Sequence, residues 1–293
     1  MKKRVQKVSA SEHSIVAQRL KRTPSILLKL QVHKTMRLST MQDIGGLRAV
    51  LDNPDDAYAL LDLYRFSKTR HTLFTFNDYI EKPKKDGYRG IHLVYKLSKE
   101  PSIFLEIQIR SHLQHIWATG VEVFGTLQKS SFKSGHGEKS WLELFALLSS
   151  VFAEKENTPH VQTHGKLSIE ALLTRTKKLI HELKVIEQLN VYTNLYKTKS
   201  LKTTKGRGGN YSLISLNSDQ NTIAVKNFSL SKIDNAFKSY LDLEKKYFKN
   251  TSMNVVLVNS GDIRKLEASY PNYFMDTKKL LKILSLISID QYL

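Results

Sequence analysis

The sequence predicts an α+β fold, a mixed β-sheet flanked by helices and followed by a smaller C-terminal α+β module. Three observations carry this. Leu105–Arg110 alternates: Leu105, Ile107 and Ile109 point one way, Glu106, Gln108 and Arg110 the other, which is the period of a strand with one covered face. Met41–Leu51 ends in a second strand-like apolar run. Apolar residues recur at helical spacing through Trp141–Glu154 and Ser168–Leu195, whereas Tyr211–Leu216, Thr222–Val225 and Asn254–Val258 are short strand-like runs around turn residues. The expected units are residues 1–155, a helical connector over 156–205, and the small module over 206–293.

In chain order, Ser11–Lys34 reads as helix, with Ile15, Leu20, Ile26, Leu27 and Leu30 as an imperfect apolar stripe interrupted near Pro24. Arg19, Lys21, Ser25 and Lys29 fall close to one face of that helix. Asp52–Asp56 is a turn with helix-capping character, and Ala57–Phe66 a short helix with Leu60, Leu61 and Leu63 toward the core. Ser111–Val123 is a helix with Trp117 in the core. His112 and His115, three apart, read as polar residues on a partly exposed face more readily than as metal ligands. Glu122 is expected to orient site residues. Asn157-Thr158-Pro159 marks a boundary, and Lys199–Asn210 a basic, glycine-rich linker or turn. In the last module, Ile233–Phe248, Asp262–Tyr270 and Asp276–Ile287 read as helices.

Composition narrows the class. The 293 residues hold 46 Lys plus Arg against 27 Asp plus Glu, a formal net charge of +19 spread over both halves. Such a surface attracts polyanions, or serves solubility alone. There is no cysteine, which excludes disulfides and cysteine-ligated zinc. Met1-Lys2-Lys3-Arg4 is followed by no apolar h-region, and no apolar run has the length of a membrane span, so a cytoplasmic protein is expected.

The chemistry concentrates in Phe76–Arg110. Lys82, Lys84, Lys85 and Arg89 put four cations in one short loop broken by Pro83 and Gly87, a composition that suits phosphates. Tyr88 offers an aromatic face for a base. Asp43 stands just ahead of the first strand. A strand-end carboxylate facing a carboxylate on a neighbouring strand is how a sheet holds magnesium beside a phosphate, and Asp43 with Glu106 is the candidate pair. The bland alternative is a solvent-facing edge strand beside an ordinary basic loop.

Three segments, in order, resemble the RelA/SpoT-type synthetase family. Arg19-Leu-Lys21-Arg-Thr-Pro-Ser25-Ile-Leu-Leu-Lys29 is similar to its ATP-binding motif. Gln42-Asp43-Ile-Gly-Gly-Leu-Arg48 is similar to its magnesium-aspartate motif. Asp78-Tyr-Ile through His92, with Glu106-Ile-Gln-Ile-Arg110, is similar to its acceptor loop and catalytic glutamate. The resemblance covers residues near Arg19 to Glu122 and implies a nucleotidyltransferase-like core that moves pyrophosphate from ATP to the 3′-hydroxyl of GTP or GDP.

By that resemblance Arg19 stacks on adenine, and Lys21, Ser25, Lys29 and Arg48 serve ATP. Arg65, Lys68 and Arg70 are candidates for a second adenine-facing cation. Lys82, Lys84, Tyr88, His92, Gln108 and Arg110 serve the acceptor. Asp43 and Glu106 hold Mg²⁺, and Glu106 helps deprotonate the acceptor. The match begins so near the start that a synthetase without hydrolase is expected. The alternative acceptor is the 3′ end of tRNA, as in growth-blocking toxins of the family. Tyr270-Pro-Asn-Tyr273 resembles the Tyr-x-x-Tyr element of fused toxin–antitoxin members. It implies a C-terminal module that blocks the adenine site until a trigger protein binds.

Overall fold

Two parallel strands, β2 (Gly45–Leu51) and β5 (Phe104–Ser111), form the axis on which the site is built. The structure is a computed structural model. It describes residues 1–293 except 10, 12, 22, 99–102, 129, 131, 133–134, 191–200, 204–210, 218–219, 221, 249–252, 259–276 and 293, and the backbone alone at 19, 24, 28, 201–203 and 254.

Before β2 come α1 (Lys2–Val8), β1 (Ile15–Leu20) and α2 (Thr23–Val32). Between β2 and β5 lie α3 (Pro54–Arg65), β3 (Thr72–Asp78) and β4 (Ile91–Lys96). After β5 follow α4 (His112–Leu127), α5 (Lys139–Lys155) and α6 (Ile169–Glu182). The remainder is β6 (Leu201–Thr203), β7 (Tyr211–Asn217), β8 (Thr222–Phe228), α7 (Ile233–Lys246), β9 (Met253–Val258) and α8 (Lys278–Ser288). The described strands form one mixed sheet in the order β3-β4-β5-β2-β1-β9-β7-β8-β6. The small module's strands join it where β9 meets β1, through the pair Arg19↔Val258. Among the described residues no helix is long and apolar enough to cross a membrane.

Each face of the first five strands is covered differently. Leu51, Ile91, Leu93, Ile107 and Ile109 pack against Val5 of α1 and Leu60 and Leu61 of α3. The amphipathic reading of that helix holds, and its start is set by the Asn53 side chain, which accepts the Asp56 N–H at 2.8 Å, with Pro54 in the first turn. On the other face, α4, α5 and α6 share one apolar core, with Trp117, Phe124, Leu144, Phe145, Leu148 and Phe152 buried. Leu280, Leu284 and Ile287 of α8 belong to the same core. The C-terminal helix is therefore part of the packing that backs the first half of the chain.

Two expectations are corrected. Ser11–Lys34 is not one helix: Ile15–Leu20 is a strand, antiparallel to β2 from Ile15↔Val50 to Leu20↔Gly45. Ile15 and Val16 are β-branched, Ala17 is buried in the core beside α4 and α5, and Val16 packs on the α3 side. An interior strand with apolar contacts on both faces wins over the helical stripe. Ser168–Leu195 is not continuous either. The helix ends at Glu182, Lys184 takes a left-handed φ of 48°, and residues 185–190 are helical again. β3 is an addition, an exposed edge strand with no periodic apolar face to announce it. The expected helix over Asp262–Tyr270 lies outside the described residues.

Candidate active site

The parallel register sets Gly46 beside Glu106 and Arg48 beside Gln108, and the β4–β5 ladder sets His92 beside Gln108. All five residues line one cavity of about 410 Å³, as do Ala17, Lys21, Asp43, Lys84, Tyr88 and Arg110. Leu47, Asp86 and Phe132, with Trp117, Ala118 and Val121 of α4 and Leu142 and Phe145 of α5, complete its lining. Glu122 is not part of that lining. The turn from β5 into α4 is held by Ser111, which accepts the Gln114 N–H, while Gln114 Oε1 accepts the Ser111 N–H, each at 3.1 Å.

Asp43 sits in the loop ahead of β2. Its two carboxylate oxygens accept Lys21 Nζ at 2.7 Å and Lys29 Nζ at 3.0 Å. Burial alone pushes the Asp43 carboxyl up, but the hydrogen bonds and charges of the two lysines outweigh it and hold it below the ordinary aspartate value. Lys21 follows β1 and Lys29 lies on α2, so the motif expected on one helical face is split over strand, loop and helix yet converges on Asp43. Of Arg19, the backbone alone is described, paired to Gly46. Ser25 is partly buried and does not line the cavity.

Glu106 is bound from two sides. Oε1 takes His92 Nδ1 at 2.8 Å and Oε2 takes Gln108 Nε2 at 2.8 Å. Burial raises its carboxyl and Asp43 adds repulsion, but His92 and Gln108 win and the net shift is downward. Gln108 Oε1 in turn accepts Arg48 Nε and Nη2 and Arg110 Nη2, each at 3.3 Å. One amide thus links two guanidinium groups to the carboxylate.

The loop between β3 and β4 is tightly turned. Asp78 Oδ1 accepts the N–H groups of Ile80 and Glu81 at 2.9 and 3.0 Å, and Asp86 Oδ1 that of Tyr88 at 2.9 Å. Gly87 has φ 93°, and a Cβ there would stand 3.0 Å from Phe145 O, Ser149 Cβ and Trp117 Cζ2. Tyr88 is held edge-on by Tyr79, His92 and Trp117, and its hydroxyl meets His92 Nε2 and Arg110 Nη2, the latter at 2.9 Å. Lys84 Nζ and Arg110 Cζ lie over its ring at 5.3 and 5.0 Å. Burial pushes the Tyr88 phenol up, while the Arg110 charge and the His92 contact pull it down to about 8.

The four-cation loop needs correction at Arg89. Its side chain is 2% exposed and turns away from the cavity to Glu156, Thr158 and Ser149. Lys82 and Lys85 are exposed and outside the cavity lining, which leaves Lys84 as the loop's cation there. Arg65 lies over Phe66 and Phe76 instead of in the cavity. Asp86 and Glu156 were missed from the sequence. Glu156 stands far along the chain from every motif and has no local signature. His112 pairs with Asp52 at 3.2 Å. Tyr270 and Tyr273 lie outside the described residues.

The sheet, the helices on both faces and the cavity that gathers two carboxylates with lysines and arginines define an α+β protein suited to holding phosphates. Residues 18–126 match the family described as the region found in RelA / SpoT proteins. The match runs from within β1 into α4 and takes in every residue of the cavity lining except Ala17, Phe132, Leu142 and Phe145. It is 38% identical over 112 residues to GTP pyrophosphokinase YjbM of Bacillus subtilis, covering 36% of this chain and 52% of that one. It is 30% identical over 159 residues to the probable chloroplastic GTP diphosphokinase RSH3 of Arabidopsis thaliana, covering 53% and 20%. The chain therefore spans about half the length, or less, of these curated relatives. Small alarmone synthetase 1 of Bacillus subtilis, solved with its product pppGpp, aligns at 28% identity and a TM-score of 0.41 over 48% of this chain and 73% of that one.

Proposed function

We propose that this chain is an ATP-dependent pyrophosphokinase that transfers pyrophosphate to the 3′-hydroxyl of GTP or GDP, acting in the cytoplasm. The observation that carries the proposal is the meeting of Asp43 and Glu106 in one cavity with Lys21, Arg48, His92 and Arg110, inside the family-matched segment.

The two carboxylates suit Mg²⁺: they are hard oxygen donors, and the Asp43 charge acts on Glu106 to raise its carboxyl, a repulsion that a cation relieves. When bound, the ion supplies neutralising charge beside the transferred phosphates. Lys21 and Lys29 are near enough to the same spot to turn from Asp43 to the ATP phosphates, with Arg48 beside them. Lys84, His92 and Arg110 face the acceptor. Glu106, held ionised by His92 and Gln108, takes the proton of the acceptor hydroxyl as its oxygen bonds to the β-phosphorus. The bond from that phosphorus to the α,β-bridging oxygen breaks, and AMP leaves with the electron pair.

A second reading, transfer to the 3′ end of tRNA, is favoured by the net charge of +19. Labelled ATP offered with GTP, GDP and bulk tRNA in turn separates them. Label on the nucleotide supports the first reading, label on tRNA the second, and label on none with folded protein overturns both. The C-terminal module is assigned regulation through Tyr270 and Tyr273 and a trigger protein. Tyr270→Ala with Tyr273→Ala should raise activity of the full chain, and unchanged activity rejects that role.

A further inference from the structure

We infer that Glu156, outside the family-matched segment, is a positioning residue that sets the distance between Tyr88 and Arg110 on the acceptor side of the cavity. The name of that side rests on the function proposed above; the geometry does not.

Glu156 caps the C-terminal end of α5. One of its oxygens accepts Arg89 Nη1 at 2.6 Å and the other the Ser111 hydroxyl. Gln114 Nε2 adds a longer contact at 3.4 Å. Arg89 directly follows Tyr88, and Ser111 directly follows Arg110. In extended chain, successive side chains point to opposite sides. Tyr88 and Arg110 therefore face the cavity and meet there, hydroxyl to guanidinium, while their next neighbours meet behind the wall on one carboxylate. The same oxygen pair fixes both ends of the Tyr88–Arg110 contact.

The grip is buried and stiff. The Arg89 and Glu156 side chains are 2% and 5% exposed. Arg89 Nε also reaches Ser149 at 3.2 Å and Nη1 reaches Thr158 at 2.9 Å, while Nη2 has no hydrogen-bond partner among the described residues. Asn157, at φ 51°, and the Thr158 N–H bond to Ala153 O at 3.0 Å close the turn that carries Glu156. None of these network residues lines the cavity, so their effect on the site is indirect, and Tyr88 and Arg110 are the lining residues joined to them directly in the chain. Those two also orient His92 and Gln108, the groups that hold Glu106. Small displacements of such groups are costly to a reaction that depends on placement.

The test uses the full chain and two variants. Glu156→Gln keeps the shape and removes the charge. Arg89→Met with Glu156→Leu removes both charges, which avoids leaving one buried and unpaired, the usual cause of unfolding at such a site. For either folded variant the KM for GTP should rise about tenfold while the KM for ATP stays within about twofold. A second readout needs no turnover. Tyr88 faces Arg110 from β5, His92 from β4 and Lys84 from its own loop, and its phenol stands near 8. The ultraviolet tyrosinate signal near that pH should move toward about 10, the ordinary value. A phenol that stays near 8 in both folded variants, or equal rises in both KM values, overturns the inference. If the wild-type chain transfers nothing to GTP, the proposed function falls and the phenol titration alone decides the role of Glu156.

Discussion

His92 Nδ1 stands 2.8 Å from Glu106 Oε1, a diagonal contact across the β4–β5 ladder between residues two positions out of register. Burial opposes charge on both. For His92 the neighbouring Tyr88 and Glu106 prevail and the imidazole is raised; for Glu106 the hydrogen bonds from His92 and Gln108 prevail and the carboxyl is lowered. The pair is thus placed to be ionised together.

The sign of the pH dependence follows. Stability from His92 is fully present below the ordinary imidazole value of about 6.5 and is lost as pH rises through the raised folded value. Stability from Glu106 is fully present above the ordinary carboxyl value of about 4.3 and is lost as pH falls through the lowered folded value. Both contributions are complete between about 4.3 and 6.5. The gap in Tm between wild type and Glu106→Gln should be widest near pH 5.5 or so and narrower at about pH 9. A gap that is flat across that range refutes the coupling.

Asp43→Asn and Glu106→Gln should each lower pyrophosphate transfer by at least about 100-fold with the protein still folded, because an amide copies the shape of a carboxylate without its charge. Transfer within tenfold or so of wild type in both variants would remove these residues from the chemistry.

Much of this site was legible in the sequence. The alternation of Leu105–Arg110 told which side chains share a face, and one face is where Glu106, Gln108 and Arg110 stand. The Ser11–Lys34 segment was misread because Gln18 and Arg19 interrupt the short run Ile15–Ala17, and its partners, β2 and β9, are distant in sequence. Arg89 looked like a loop cation because the carboxylate that buries it, Glu156, lies well beyond the loop. Local pattern reports which way a side chain points, and long-range pairing decides what it meets.

Tyr88 separates two roles that the sequence joined. Tyr88→Phe keeps the ring and removes the hydroxyl that meets His92 and Arg110; it should cost about 0.5–1.5 kcal/mol of stability. Tyr88→Ala also removes the ring and should weaken acceptor binding by about 1–3 kcal/mol if the ring stacks on a base. Calorimetric binding of GTP to both variants checks this. Equal affinity for GTP in the two would show that the ring carries no stacking.

Gly87→Ala should destabilise the loop between β3 and β4 by about 1–3 kcal/mol. The left-handed φ of 93° disfavours any side chain, and the added Cβ has backbone and core atoms at 3.0 Å around it. Denaturant unfolding of the variant gives the figure, and a stability equal to wild type would mean that the loop can move off α4 and α5 without cost.

The last prediction concerns the join between the small module and the side of the cavity proposed for ATP. Glu244 of α7 is 8% exposed, and its Oε2 accepts the backbone N–H of Thr23 at 2.9 Å, at the start of α2. A helix start leaves N–H groups without partners, and a carboxylate there satisfies one and complements the positive end of the helix. The same helix carries Lys29 to Asp43. Glu244 therefore steadies, from a distant part of the chain, the element that supplies one of the two lysines on the candidate metal carboxylate. Glu244→Ala should cost about 0.5–2 kcal/mol in stability, the range of a lost helix cap. It should also raise the KM for ATP severalfold and leave that for GTP unchanged, because Tyr88, His92 and Arg110 stand on other elements. Glu244→Gln, which keeps an acceptor oxygen, should recover most of the loss. Equal KM values for ATP in wild type and Glu244→Ala, with the expected fall in stability, would reduce the contact to a cap without influence on the site.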